Sequence, residues 1–199
     1  IREETGVTLS DLNLGGGYGV RYTDEDEAIN IPARLAELAA YLKEETERLG
    51  LPMPRFLMEP GRSIVADAGM TLYTVGSVKR IPGYKQYAAV DGGMTDNPRY
   101  ALYQSRYTVY HAHKSGSMER FDVVGRCCES GDIIQPDVEL PGDTCRGDIL
   151  AVCTTGAYNY SMASNYNRLP RPAVVMLTPD RIYEAVRRET FADLTALDL

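Results

Sequence analysis

The sequence predicts two kinds of structure in succession: an α/β segment, then an all-β domain of the antiparallel sandwich or Greek-key barrel type. Three observations carry this. A strand–helix–strand pattern runs from about Leu9 to Val65. After Asp67 the chain turns to short runs rich in Val, Thr, Tyr and Ile. Turn-formers such as Pro82–Gly83, Ser115–Gly116 and Pro141–Gly142 separate those runs. The expected segments are residues 1–66 and 67–199.

"IREETG" reads as the tail of a helix, so the chain is expected to be part of something longer. "DLNLGGG" is a short apolar strand ending in glycines. Ile31, Leu35, Leu38, Ala39, Leu42 and Leu49 then form one helical stripe. Asn30 is placed to cap that helix, Pro32 sits in its first turn, and Gly50 with Pro52 ends it. "RFLMEPG" is a second strand, which makes a βαβ unit of a parallel sheet or barrel. In the second segment "GMTLYTVGSVKRI", "KQYAAVD", "SRYTVYHAH", "RFDVVGR" and "GDILAVCTT" read as strands. "PAVVMLTPDRIYEAVRRE" reads as a hairpin about Pro179–Asp180, with a short helix near "FADLTAL".

The charge of −7 and the absence of any Lys/Arg run argue against nucleic acid as a partner. No apolar stretch approaches the roughly 18 to 20 residues that a membrane span needs. The polar start predicts no signal peptide, and Cys127, Cys128, Cys145 and Cys153 read as reduced thiols of a cytoplasmic protein. His111 and His113 are expected on an exposed strand face. As half a metal site they lack a second ligand cluster, so no metal is expected.

Five motifs bear on chemistry. "LGGGYG" sets Gly15, Gly16, Gly17 and Gly19 at the end of a strand, where backbone N–H groups can approach an anion; a ligand-free turn is the rival reading. "EPGR", Glu59 to Arg62, ends the next strand of the same unit and opens on the same face. On its own it is a turn with a surface ion pair. In "DGGMTDNPRYALYQ" Arg99 precedes Tyr103 by one helical turn, so both can face one pocket, and arginine is the preferred bidentate partner of a carboxylate. "RCCESGD" sets Cys127 and Cys128 beside Glu129. Vicinal cysteines make a strained disulfide, and the set is too small for a metal, which leaves packing or a ligand-facing thiol. "TTGAYNYSMASNYN" places Tyr158 after two small residues.

Taken in order, "GGGYG", "EPGR", "DGGMTDNPRYALY", "CESGD" and "GAYNYSMASNYN" resemble the diaminopimelate decarboxylases, pyridoxal-phosphate enzymes of the alanine-racemase-like fold type. The resemblance implies that about Leu9 to Ile64 form the last strands of a (β/α)8 barrel, followed by the family's C-terminal β domain. It implies decarboxylation of meso-diaminopimelate to L-lysine, the last step of lysine biosynthesis, in a homodimer with shared active sites.

By the same resemblance Gly17 and the turn at Gly61–Arg62 hold the cofactor phosphate, with Gly16 and Pro60 also at the cofactor. Glu59 pairs with the pyridine nitrogen. Arg62, Arg99 and Tyr103 grip the distal carboxylate of the substrate, Glu129 takes its distal ammonium, and Tyr158 lies against both molecules. Cys128 is the proton donor, reaching the partner subunit's site with Glu129, while Cys127 packs. None of Lys43, Lys79, Lys85 and Lys114 stands in a barrel-strand motif. The lysine that the family binds to its cofactor is therefore expected outside this chain, which alone should be inactive. A decarboxylase of ornithine or arginine and a non-catalytic interaction module remain as alternatives.

Overall fold

The computed structural model describes residues 2–199. After a single turn, α1 (Arg2–Thr5), strand β1 (Asp11–Asn13) pairs in parallel with β2 (Arg55–Leu57) across helix α2 (Ile31–Arg48). The parallel pairing needs the crossover that α2 supplies. Asn30 caps α2, its Oδ1 accepting the Ala33 N–H at 3.1 Å, and Pro32 lies in the first turn. Of the apolar stripe, Ile31, Leu35, Leu38 and Leu42 are half-buried, whereas Ala39 and Leu49 are exposed. Two three-residue strands offer too little surface to cover the helix. A short helix, α3 (Arg62–Val65), follows.

Strands β3 (Met70–Arg80) and β4 (Gln86–Val90) lead to helix α4 (Arg99–Tyr103); then come β5 (Val109–His111), β6 (Met118–Val124), β7 (Ile133–Pro141) and β8 (Ile149–Cys153). They form one six-stranded sheet in the order β5-β8-β3-β4-β6-β7. The edge strands nearly meet: the Tyr107 N–H, just ahead of β5, donates to Gln135 Oε1 on β7 at 3.0 Å. Alternate residues of each strand fill the interior, among them Tyr73 and Val75, Ala88 and Val90, Phe121 and Val123, and Leu150 and Val152.

The sheet is mixed, which corrects the expectation of a purely antiparallel domain: β4 and β6 run parallel, with Ala88 opposite Val123. Between them the chain leaves the sheet through α4, adds β5 to the far edge beside β8, and returns, and a crossover of that kind restores the same direction.

Helix α5 (Asn159–Met162) and a 3-10 turn at Tyr166–Arg168 precede the antiparallel hairpin of β9 (Val174–Leu177) and β10 (Ile182–Val186), which turns about Pro179–Asp180 as expected. Helix α6 (Phe191–Thr195) closes the chain with a capping box between Thr190 and Asp193.

His111 corrects a second expectation. Its side chain is 2% exposed, not on an open strand face. Its Nδ1 accepts the His113 and Lys114 N–H groups, and its Nε2 lies 3.1 Å from Asp148 Oδ2, outside good hydrogen-bond alignment. Burial alone would raise the Asp148 carboxyl. Lys114, the Cys145 N–H and His111 outweigh it and hold the group well below the usual carboxylate range.

Candidate active site

The ends of β1 and β2 are tied into one surface. The Glu59 N–H donates to the Gly15 carbonyl at 2.7 Å, and Asn13 Nδ2 donates to Glu59 Oε1 at 2.6 Å. Asn13 Oδ1 in turn accepts the Gly15 N–H at 2.7 Å. Asn13 therefore fixes the Glu59 carboxylate and the glycine loop together, a role that its place within the motif "DLNLGGG" did not suggest. Gly15 and Gly17 have positive φ, +70° and +83°, and a Cβ on Gly16 would lie 2.2 Å from the Glu59 carbonyl oxygen. Beyond Glu59 and Pro60, Gly61 stands at the N-cap of α3 and Arg62 begins it.

Tyr158 reaches this surface through a glycine contact. The Gly156 N–H donates to the Ala66 carbonyl and the Thr155 N–H to the Gly69 carbonyl, both at 2.9 Å. A Cβ on Gly69 would come within 2.4 Å of Gly156, and one on Gly156 within 1.9 Å of the Val65 carbonyl. Only glycines allow so close an approach. Two residues on, Tyr158 adopts φ +73°, a left-handed conformation that costs a non-glycine residue strain.

Two guanidinium groups converge on that ring, Arg62 at 5.6 Å and Arg99 at 5.0 Å from its centroid, and Arg99 also lies 5.4 Å from the Tyr103 ring. The helical spacing thus does bring Arg99 and Tyr103 together. Arg99 is buried; its Nε donates to Tyr107 Oη at 2.7 Å and its Nη2 to Ser105 Oγ at 3.4 Å. Tyr107 Oη donates to Asn159 Oδ1 at 3.4 Å, and Tyr22 meets the Tyr107 ring edge-on at 5.2 Å. Burial pushes the Tyr107 phenol up, so it stays neutral beside Arg99. The neighbouring Tyr158 raises the Arg62 guanidinium further above its ordinary value, so it stays charged.

Among the described residues neither Arg62 nor Arg99 is paired with a carboxylate. Nearby, Arg62 Nε, Tyr22 Oη and Asn159 Nδ2 are buried without a hydrogen-bond partner. Uncompensated buried cations and donors are costly. The arrangement is suited to accepting an anion. Tyr22, Tyr107 and Asn159 were not legible as site residues, because fourteen tyrosines give no reason to single out two.

The second group lies on the loop after β6. Cys127 is half-buried and Cys128 exposed, and all four cysteines are free. Burial and the neighbouring Asp132 push the Cys127 thiol up to about 11. The Cys128 N–H donates to Asn167 Oδ1 at 2.6 Å, and Tyr166 Oη donates to Glu129 Oε2 at 3.2 Å. The Gly131 N–H and Tyr166 hold the Glu129 carboxyl below its usual range. Among the described residues no hydrogen bond, ion pair or ring contact joins Cys128 or Glu129 to Arg62, Arg99 or Tyr158. The structure therefore brings together the residues of the first cluster and leaves these two apart from it.

Residues 20–156 match the sequence profile of the pyridoxal-dependent decarboxylase C-terminal sheet domain. The chain is 50% identical over 190 residues to diaminopimelate decarboxylase of Bacillus subtilis, covering 94% of this chain and 43% of that protein. It is 41% identical over 197 residues to the Staphylococcus aureus enzyme, covering 98% and 47%. It also superposes on a crystal structure of diaminopimelate decarboxylase from M. jannaschii in complex with L-lysine, with a TM-score of 0.91 and 34% identity, covering 100% of this chain and 45% of that one. The chain spans somewhat less than half the length of these relatives, and it belongs to the pyridoxal-dependent decarboxylase family through that family's C-terminal sheet domain.

Proposed function

We propose that the chain is the C-terminal portion of a diaminopimelate decarboxylase that converts meso-diaminopimelate to L-lysine and CO2. Residues 1–66 are then the end of a (β/α)8 barrel and residues 67–199 its β domain. The observation that carries this is the pair of guanidinium groups, Arg62 and Arg99, set against Tyr158 with no carboxylate partner. A substrate whose far end is an amino acid needs a cationic clamp for the distal carboxylate and an anion for the distal ammonium. Ornithine and arginine lack that carboxylate and would leave Arg99 unpaired.

The residues fit a pyridoxal phosphate. Gly16, Gly17 and the Gly61–Arg62 turn offer backbone N–H groups to a phosphate, and Glu59, fixed by Asn13, offers a carboxylate to a protonated ring nitrogen. The cofactor supplies an electron sink when CO2 leaves. Around it, Arg62, Arg99 and Tyr103 orient the distal carboxylate, Tyr158 covers the site, and Tyr107 keeps the Arg99 guanidinium in place. Cys128 is the proton donor, and Glu129 takes the distal ammonium. By the family resemblance both serve the second site of a homodimer, a reading compatible with their having no direct contact with the arginine cluster. The test is decarboxylation by the full-length protein. L-lysine formed from meso-diaminopimelate, with ornithine and arginine poor substrates, is expected; preference for ornithine or arginine would overturn the assignment.

A further inference from the structure

Asp132, the last residue of "CESGD", is buried at 5% exposure between the two loops that carry the proposed substrate contacts. Its Oδ1 accepts the Met94 N–H at 2.6 Å, on the loop that leads into α4 and hence to Arg99 and Tyr103. Its Oδ2 accepts the Cys127 N–H at 2.6 Å, immediately before Cys128 and Glu129. The backbone is shaped to admit this carboxylate. A Cβ on Gly93 would lie 2.6 Å from Asp132 Oδ2, and one on Gly125 only 2.2 Å from it. Asp96 completes the loop from the other side, its Oδ1 accepting the Gly93 N–H at 2.9 Å. The two loops also share the Arg126 N–H to Gly92 carbonyl bond at 3.1 Å, but Asp132 is the side chain that bonds both.

We propose that Asp132 is a positioning residue that locks these loops in one register, so that a single carboxylate sets the orientation of Arg99 on one side and of Cys128 and Glu129 on the other. The inference rests on the proposed site. Both carboxylate oxygens accept from backbone donors, so an amide in their place would turn an N–H donor toward another N–H. The charge has a second effect, since it opposes ionisation of the Cys127 thiol beside it.

The experiment is Asp132→Asn in the full-length holoenzyme. Cofactor absorbance should remain as in the wild type, because Glu59 and the glycine loop stand elsewhere. KM for meso-diaminopimelate should rise and kcat fall, each by about tenfold or more. Alkylation of Cys127 at pH 8.5, followed by mass spectrometry, should become faster than in the wild type as the neighbouring charge disappears, while burial still restrains it. Wild-type KM and kcat would overturn the proposal. So would a lowered melting temperature with KM and Cys127 reactivity unchanged, which would make Asp132 merely structural. Should Asp132→Asn fail to fold, Gly93→Ala presses on the same carboxylate without removing it. It should raise KM and lower kcat in the same sense, and wild-type kinetics in it would equally overturn the proposal. Failure of the site assignment has a different signature: Arg99→Ala and Cys128→Ala both fully active, whatever Asp132→Asn does.

Discussion

In the proposed site, Arg99 is the residue that would link the structure to substrate choice. Its Nε donates to Tyr107 Oη at 2.7 Å and its Nη2 to Ser105 Oγ at 3.4 Å, which leaves Nη1 and the second Nη2 proton to meet a carboxylate. Arg99→Ala in the full-length enzyme should cost about 1.5 to 3 kcal/mol of binding. That is a rise in KM for meso-diaminopimelate of roughly 10- to 150-fold, with little change for amines lacking the distal carboxylate. Equal losses for both substrates would make Arg99 structural. The cysteines make a separate pair of predictions. Cys128→Ala should cut turnover by about 10²-fold or more, whereas Cys127→Ala should stay near wild type, since Cys127 is half-buried with its thiol held protonated up to about pH 11. Turnover measured on both variants decides between them. At this scale the motif spacings anticipated one placement, Arg99 beside Tyr103. They were silent on Asn13, Tyr107 and Asp132. Asp132 meets the Met94 N–H and the Tyr107 hydroxyl meets Asn159, partners 38 and 52 residues away in the chain.

Among the elements, α2 was fully legible because its signals are local: Asn30, Pro32 and Gly50 act within a turn of the residues that they cap. Removing the cap by Asn30→Ala should cost about 1 kcal/mol, read as a shift in the denaturation midpoint. The parallel β4–β6 pairing and the burial of His111 were not legible, because each depends on contacts across the sheet, the first on the excursion to β5 and the second on Asp148 beside β8. The segment holding Tyr166 and Asn167 depends on Glu189, which accepts from Asn165 Nδ2 at 2.6 Å and from the Arg171 N–H at 2.8 Å. Hydrogen bonds from Arg171 and Asn165 lower the Glu189 carboxyl from 4.5 to about 2. A depressed carboxylate stabilises the fold above its unfolded value and loses that contribution as pH falls. Titration from pH 4.5 towards 2 should therefore loosen residues 165–171, seen as faster amide exchange there, and Glu189→Gln should abolish the transition.

On the scale of the whole molecule, the side chains assigned to the proposed site fall into two sets with no hydrogen bond, ion pair or ring contact between them among the described residues. One gathers Arg62, Arg99, Tyr103 and Tyr158 across the junction of the βαβ unit with the sheet, with Glu59 held nearby in the chain by Asn13; the other, Cys128 and Glu129, is held by Tyr166 and Asn167 on a separate loop. The account makes them parts of two different sites in a homodimer. The most direct test mixes full-length subunits carrying Cys128→Ala with subunits in which the cofactor-binding lysine of the barrel is replaced. Each parent dimer should be nearly inactive, and the hybrid should regain a part of wild-type turnover, because one of its two sites is whole. Mixtures that exchange subunits yet recover no turnover would contradict the shared site.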